Sequence, residues 1–186
     1  SKEIGSDIFT SDVKDEVVLC LNYDGKFGLN NINSYFQNAN PNGEAIIWQS
    51  WRFKKGDKIL FNDNSRFTCL YNNLKGIIVD IEKTEDQIAF IIDVETIITE
   101  QQCKSDQIEY IDTLDEKTRI KLIVYAFDED EIDDEEDAKR TIIPFQLAYA
   151  VSIHKAQGLE YDSVKVVIPS VNTEKITKGV FYTAIT

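Results

Sequence analysis

The sequence predicts an α/β domain interrupted by an inserted all-β block. Three observations carry this expectation. A compact apolar run at residues 16–21 precedes an amphipathic helix pattern from Leu29. Short apolar runs with turn punctuation fill residues 48–143. A strand–helix–strand–helix order then returns after Pro144. Alternating strands and helices mean a sheet covered by helices, whereas serial strands mean a β layer of its own. The expected organisation is a first α/β part over 1–47, a β block over 48–143 and a second α/β part over 144–186.

Residues 1–15 are polar and read as a loose lead-in. Val17, Val18, Leu19, Cys20 and Leu21 make a buried strand after an acidic stretch. Residues 22–28 contain Asn22, Asp24, Gly25 and Gly28 and read as a turn-rich loop. A helix is expected from Leu29 to about Asn38, with Ile32, Tyr35 and Phe36 on one face. Asn40-Pro41-Asn42-Gly43 ends it. Trp48, Trp51 and Phe53 lead into the turn Lys54-Lys55-Gly56-Asp57 and a strand over 58–62. Residues 71–76 form another turn. Residues 77–81 and 87–92 read as a hairpin, and 97–98, 109–111 and 120–125 add strand-like pieces. In the last part, a strand is expected over 145–151, a helix over 152–157, a buried strand over 164–168 and a final helix containing Phe181 and Tyr182.

Composition limits the function classes. Hydrophobic residues at 42% and aromatics at 11% support a folded core rather than a disordered tail. The longest apolar runs are too short to cross a bilayer, and no signal-peptide pattern opens the chain, so no membrane partner is expected. Cys20, Cys69 and Cys103 stand far apart, odd in number and without metal-ligand spacing. They argue against a disulfide framework or a zinc site and for a reducing cytoplasm. With 33 acids against 20 bases the net charge is −13, which disfavours independent nucleic-acid binding. The charge is uneven, however. Nine acids fall within the ten residues 128–137, read as a solvated loop, whereas four lysines outnumber three acids from Gln146 onward. The tail is thus slightly basic within an acidic chain. The chain has no methionine and stops inside an apparent helix, which reads as an internal fragment of a longer protein.

The chemistry concentrates in this tail. Ser152-Ile153-His154-Lys155-Ala156-Gln157-Gly158-Leu159-Glu160 is followed by Tyr182-Thr183-Ala184-Ile185-Thr186. The order and spacing resemble the last two motifs of superfamily 1 DNA helicases of the RecD/UvrD-like branch. The resemblance extends along nearly the whole chain. Residues 18–41 are loosely similar to that family's opening segment of the second motor domain. Residues 53–58, 62–63 and 71–78 are similar to its inserted Src-homology-3-like barrel. Where that family has Asn-Gly-Asp/Glu-x-Gly, this chain has Asn72-Asn73-Leu74-Lys75-Gly76, and asparagine tolerates the left-handed backbone that glycine would supply.

The resemblance implies a RecA-like second motor domain of the P-loop NTPase type. It implies contacts to single-stranded DNA from Ser152, His154, Lys155 and Thr183. A hydroxyl, an imidazole and an ammonium at a helix start suit phosphate binding. It places Gln157, Gly158 and Glu160 nearer a nucleotide cleft shared with an N-terminal motor domain of the same chain, where Glu160 accepts from ribose hydroxyls. The parent protein is then expected to use ATP and Mg2+, and a nuclease or repair protein is a further partner. Five-prime to three-prime polarity follows from RecD-like resemblance only. In the family an arginine after the Thr-Ala-x-Thr run clamps the γ-phosphate, and here the sequence ends at Thr186. No GxxxxGK[ST] phosphate loop occurs. The fragment is therefore expected to contain no catalytic residue, to be inactive as an ATPase and to hold no cofactor or metal by itself.

Competing readings attach to several residues. Asp128-Glu129 after an apolar strand mimics a magnesium-holding pair, but the following acids favour a strand running into a solvated loop. The acidic run lacks the spaced glycine of a calcium loop. Trp48 and Trp51 are expected to pack the junction between the β block and the α/β part rather than to stack on bases. Lys54, Lys55 and Lys58 are either phosphate contacts or a solvated turn. In the alternative functional reading, the chain is a degenerate helicase-like scaffold whose barrel and acidic loop bind a protein.

Overall fold

A computed structural model describes residues 15–62, 66–103, 105–126 and 135–167. It divides into two compact units, one interrupted in sequence by the other. The interrupted unit holds β1 (Glu16–Cys20), α1 (Leu29–Ala39), β10 (Ala150–Ser152), α3 (Ile153–Ala156) and β11 (Ser163–Val167). The inserted unit, Asn42–Leu147, holds β2 (Ile46–Trp48), β3 (Trp51–Phe53), β4 (Lys58–Phe61), β5 (Lys75–Lys83), β6 (Gln87–Val94), β7 (Ile108–Leu114), β8 (Lys117–Tyr125), α2 (Glu135–Arg140) and β9 (Phe145–Leu147).

In the interrupted unit, β1 is the central strand of a three-stranded parallel sheet ordered β10-β1-β11. Flanked on both sides, β1 is buried along its whole length, and this explains its unbroken apolar run. Its one charge, Glu16, accepts from Ser163 Oγ at 2.9 Å and pairs with Lys165 Nζ at 3.0 Å. A carboxylate this deep requires such partners. By contrast, β11 is half exposed, with Val164 at 40%, rather than the buried strand expected.

Helix α1 buries Leu29, Ile32, Asn33, Phe36 and Gln37, an i, i+3, i+4, i+7, i+8 stripe. Tyr35, expected on that face, is exposed and meets Phe36 edge-on at 5.3 Å. The polar member of the stripe, Asn33, reaches β10. Its Nδ2 donates to the Ala150 carbonyl at 3.0 Å, and the Ala150 N–H donates to its Oδ1 at 2.8 Å. About two turns later, Asn40 Nδ2 donates to Tyr149 Oη at 3.2 Å.

The inserted unit is built on a six-stranded antiparallel sheet ordered β7-β8-β6-β5-β4-β9, with β2–β3 a separate ribbon. The expected hairpin is present as β5–β6. Asn73 has φ 69°, so the Asn72-Asn73 turn does use asparagine in the left-handed region. Alternate residues of β8, Thr118, Ile120, Leu122 and Val124, are fully buried, while Arg119 and Lys121 pair outward with Asp93 and Glu82. The core centres on Phe53, Phe61, Phe90 and Phe145, whose rings meet edge-to-face at 5.1–5.7 Å.

Three expectations are corrected here. The single strand expected over 145–151 is two strands in different sheets. Phe145–Leu147 pairs with β4 and carries Phe145 into the aromatic cluster, whereas Ala150–Ser152 pairs with β1. The strand-rich sheet therefore continues past Pro144. Second, Trp48 is buried in the inserted unit's own core, with its Nε1 lacking a hydrogen-bond partner among the described residues. Trp51 is instead 46% exposed and stacks on Phe53. Third, the acidic run does not end as a loop. Glu135, Glu136 and Asp137 form the first turn of α2, and Lys139 and Arg140 its last, the arrangement a helix dipole favours. Asp128 and Glu129 lie outside the described residues. The pairings among the described strands run from β7 at one edge to β9 at the other, with no ladder joining those edges.

Asn33→Ala should remove both bonds to Ala150 and leave its buried amide groups unpaired. The expected loss is about 2–4 kcal/mol, read as a lower urea midpoint with unchanged slope.

Candidate functional site

Parallel sheets present ligands with the carboxyl ends of their strands, where loops and helix starts gather. In the interrupted unit these ends are level, because Cys20 of β1 stands opposite Ser152 of β10 and Val167 of β11. The loop after β1 and the turn after β10 therefore leave the same edge. The apolar run Ala148-Tyr149-Ala150-Val151 buries the approach, and the sequence turns polar where the sheet ends.

Ser152 is the hinge of this edge. It is 6% exposed, ends β10 and caps α3, and its Oγ accepts the Lys155 N–H at 3.3 Å. The hydroxyl thus shapes the turn that presents the next residues. Ile153 is buried beneath it, His154 is exposed and Lys155 is half-buried. Helix α3 is a single turn, Ile153–Ala156, so little helix dipole is available. The basic side chains of this turn are those of His154 and Lys155. Leu159 N–H closes the exit turn onto the Ala156 carbonyl at 2.9 Å. Gly158 there has φ +81°, with open space where a Cβ would stand. Gln157 and Glu160 are both exposed on this turn. The structure therefore brings Ser152, His154, Lys155, Gln157, Gly158 and Glu160 into one short surface segment. Thr183 lies outside the described residues, as do Phe181, Tyr182 and Thr186.

The β1 loop shares this edge, and sequence reasoning did not include it among the candidates. Its signal was the glycine-containing stretch between a buried strand and a helix. The loop folds on itself: Gly28 N–H donates to Gly25 O at 2.9 Å, and Leu29 N–H to Asn22 O at 2.9 Å. Asn30 N–H donates to Tyr23 O at 3.1 Å, and Asn31 Nδ2 to Gly25 O at 2.9 Å. The first turn of α1 thus spends two donors on the chain's own carbonyls. Tyr23, 52% exposed, stands out of this loop. A Cβ at Gly28 would lie 2.4 Å from the Asp24 carbonyl oxygen, so only glycine allows this closure.

Elsewhere the cations expected as alternative phosphate contacts have other roles. Lys54 is buried, and its N–H donates to Asp57 Oδ2 at 2.7 Å. Lys55 pairs with Asp80 at 2.7 Å, and the Lys55 ammonium, with the Ile81 N–H, holds the Asp80 carboxyl below its ordinary range. No group of three or more metal-ligating side chains occurs among the described residues. No helix among them is long and apolar enough to cross a membrane.

The two glycines separate two physical requirements. Gly28→Ala should cost about 2–3 kcal/mol, because backbone must move. Gly158→Ala should cost about 1 kcal/mol, because only the left-handed backbone is penalised. Denaturant titration of both variants checks the order.

Residues 147–186 match the model of the UvrD-like helicase C-terminal domain. No curated protein matches the sequence. Among solved structures, Bacteroides Pif1 bound to single-stranded DNA aligns at TM-score 0.50 and 15% identity over 94% of this chain and 39% of that one. Pif1 helicase from Candida albicans aligns at TM-score 0.50 and 15% identity over 91% of this chain and 42% of that one. The chain thus spans about two fifths of each of those proteins. In the sequence of its tail the chain is similar to the UvrD-like helicase C-terminal domain, and in fold nearly its whole length is similar to part of the Pif1 helicases.

Proposed function

We propose that this chain is the C-terminal motor half of an ATP-dependent DNA helicase that moves on single-stranded DNA. The observation that carries the reading is the placement of the tail motif. Ser152 to Glu160 leave the carboxyl edge of a parallel sheet, inside the segment that matches the helicase family model. In this reading His154 and Lys155 hold DNA phosphates, with Ser152 setting their turn and Thr183 adding a contact. Gln157, Gly158 and Glu160 face the nucleotide. Those ligands on one continuous segment give nucleotide state a short path to DNA grip.

The residues fit one wall of a nucleotide site and not a whole one. Glu160 offers an exposed acceptor for ribose hydroxyls, while the sequence has no phosphate loop to cradle phosphates. An N-terminal motor domain of the parent would supply that loop and the Mg2+ ligands, and an arginine beyond Thr186 would supply the γ-phosphate clamp. Bound ATP and Mg2+ would supply the energy of translocation. The inserted sheet is read as the counterpart of the family's Src-homology-3-like barrel. A role in repair or recombination beside a nuclease follows from the RecD-like resemblance. The free state of all three cysteines fits a cytoplasmic location.

ATP hydrolysis by the full-length parent, with and without single-stranded DNA, tests the reading. Strong stimulation in the parent and none in this 186-residue chain are expected. In the parent, Lys155→Ala should raise the DNA concentration for half-stimulation about tenfold, the loss of one charge-assisted hydrogen bond. Glu160→Gln should raise KM for ATP and leave DNA affinity unchanged. A well-folded parent without hydrolysis would instead favour a scaffold that binds a protein through the inserted unit.

A further inference from the structure

The inserted unit begins at Asn42, and the next residue is Gly43. No other asparagine in the sequence is followed by glycine. The pair is exposed and belongs to neither a helix nor a strand. Gly43 has φ +81°, and open space lies where a Cβ would stand. Its N–H makes no hydrogen bond among the described residues. The nitrogen next to the Asn42 side chain is thus neither crowded by a side chain nor held by an acceptor. Other asparagines show the contrast. The nitrogen after Asn40 belongs to Pro41 and carries no hydrogen. Those after Asn72 and Asn73 donate to Phe61 O at 2.9 Å and to Tyr71 O at 3.1 Å. Asn33 is buried, with its amide bonded on both sides to Ala150.

We propose that Asn42-Gly43 is a self-modification site, where the asparagine converts to aspartate and isoaspartate without an enzyme. Neither the helicase reading nor the tail motif is needed for it. A base in the solvent takes the Gly43 N–H proton, and the nitrogen attacks Asn42 Cγ. That C–N bond forms, the bond from Cγ to Nδ2 breaks, and ammonia leaves with a proton returned by the solvent. The product is a five-membered succinimide. Water then adds to one ring carbonyl, the ring C–N bond there breaks, and the nitrogen takes a proton from the water. Opening at Cγ gives aspartate. Opening at the Asn42 main-chain carbonyl gives isoaspartate, whose backbone runs through the former side chain. Nothing is oxidised or reduced: one water is consumed and one ammonia is released.

Both products carry a carboxylate, ionised at neutral pH, where a neutral amide stood. Asn42 lines a cleft of about 660 Å3 with Glu44 and with Lys55, the one cation among its described lining residues. Lys55 already pairs with Asp80 at 2.7 Å in a half-exposed ion pair. Conversion therefore adds a further anion to the cleft that Lys55 borders. In the isoaspartate product the backbone is also longer by a methylene at the entry to the inserted unit, just before β2.

The test holds the folded 186-residue chain in neutral and in alkaline buffer, digests it under mildly acidic conditions and maps the peptides by mass. The Asn42 peptide should gain about 1 Da and separate into two species of equal mass. Conversion should be faster in alkaline buffer, because the first step removes a proton. The isoaspartate species should accept a methyl group from S-adenosylmethionine through an isoaspartyl carboxyl methyltransferase. Gly43→Ala should convert about tenfold more slowly, since a Cβ raises the barrier to attack. Asn42→Gln should gain no mass over the same period, because its ring would be six-membered. A synthetic peptide of residues 38–47 serves as the unfolded standard. Conversion of that peptide while the folded chain stays unchanged would overturn the proposal, as would equal conversion at Asn22 or Asn73.

Discussion

The edge that carries the tail motif depends on one side chain. Asn33 meets both amide groups of Ala150 from a helix stripe that is otherwise apolar apart from Gln37. β10 stands at the margin of a three-stranded sheet, where one side of its backbone has no neighbouring strand among the described residues. An unpaired strand edge needs partners or water, and buried positions lack water. The Asn33 amide imitates a strand for a single residue. It thereby fixes the register of β10 against β1, and with it the point at which Ser152 leaves the sheet. A shift of one residue would exchange the faces of Val151 and Ser152.

How much of this was legible depended on the range of the interaction. The apolar run of β1, the helix stripe around Ile32 and Phe36, the β5–β6 hairpin and the left-handed Asn73 are local consequences of period and residue type. They were readable without coordinates. The division of residues 145–152 between two sheets was not, because Phe145 and Ala150 answer to partners far away in sequence: Phe53 and Phe90 for one, Asn33 for the other. Tyr35 fitted the helix period equally well and yet faces out, since period fixes a stripe but not its centre. In the candidate site, the motif residues were legible as a set. That Ser152 is occupied in capping, and that the β1 loop shares the edge, followed only from the sheet's register.

The distribution of charge sharpens the contrast between the units. In the inserted unit four cations are matched with carboxylates: Lys55 with Asp80, Lys117 with Glu95, Arg119 with Asp93 and Lys121 with Glu82. Such half-exposed pairs add little stability individually, but they remove the positive field a phosphate chain would follow. The global charge is therefore a poor guide to where an anion could sit.

The parallel sheet also imposes an order of events on synthesis. Both partners of β1 come from residues after 149, whereas β4 to β8 pair mostly with close neighbours in sequence. Short-range pairings form early and distant ones late. A growing chain therefore carries an apolar central strand without its two described strand partners until the inserted unit has emerged. The inserted unit acts as a delay between the two halves of its host, and for that interval β1 is the segment that most needs shielding by a chaperone.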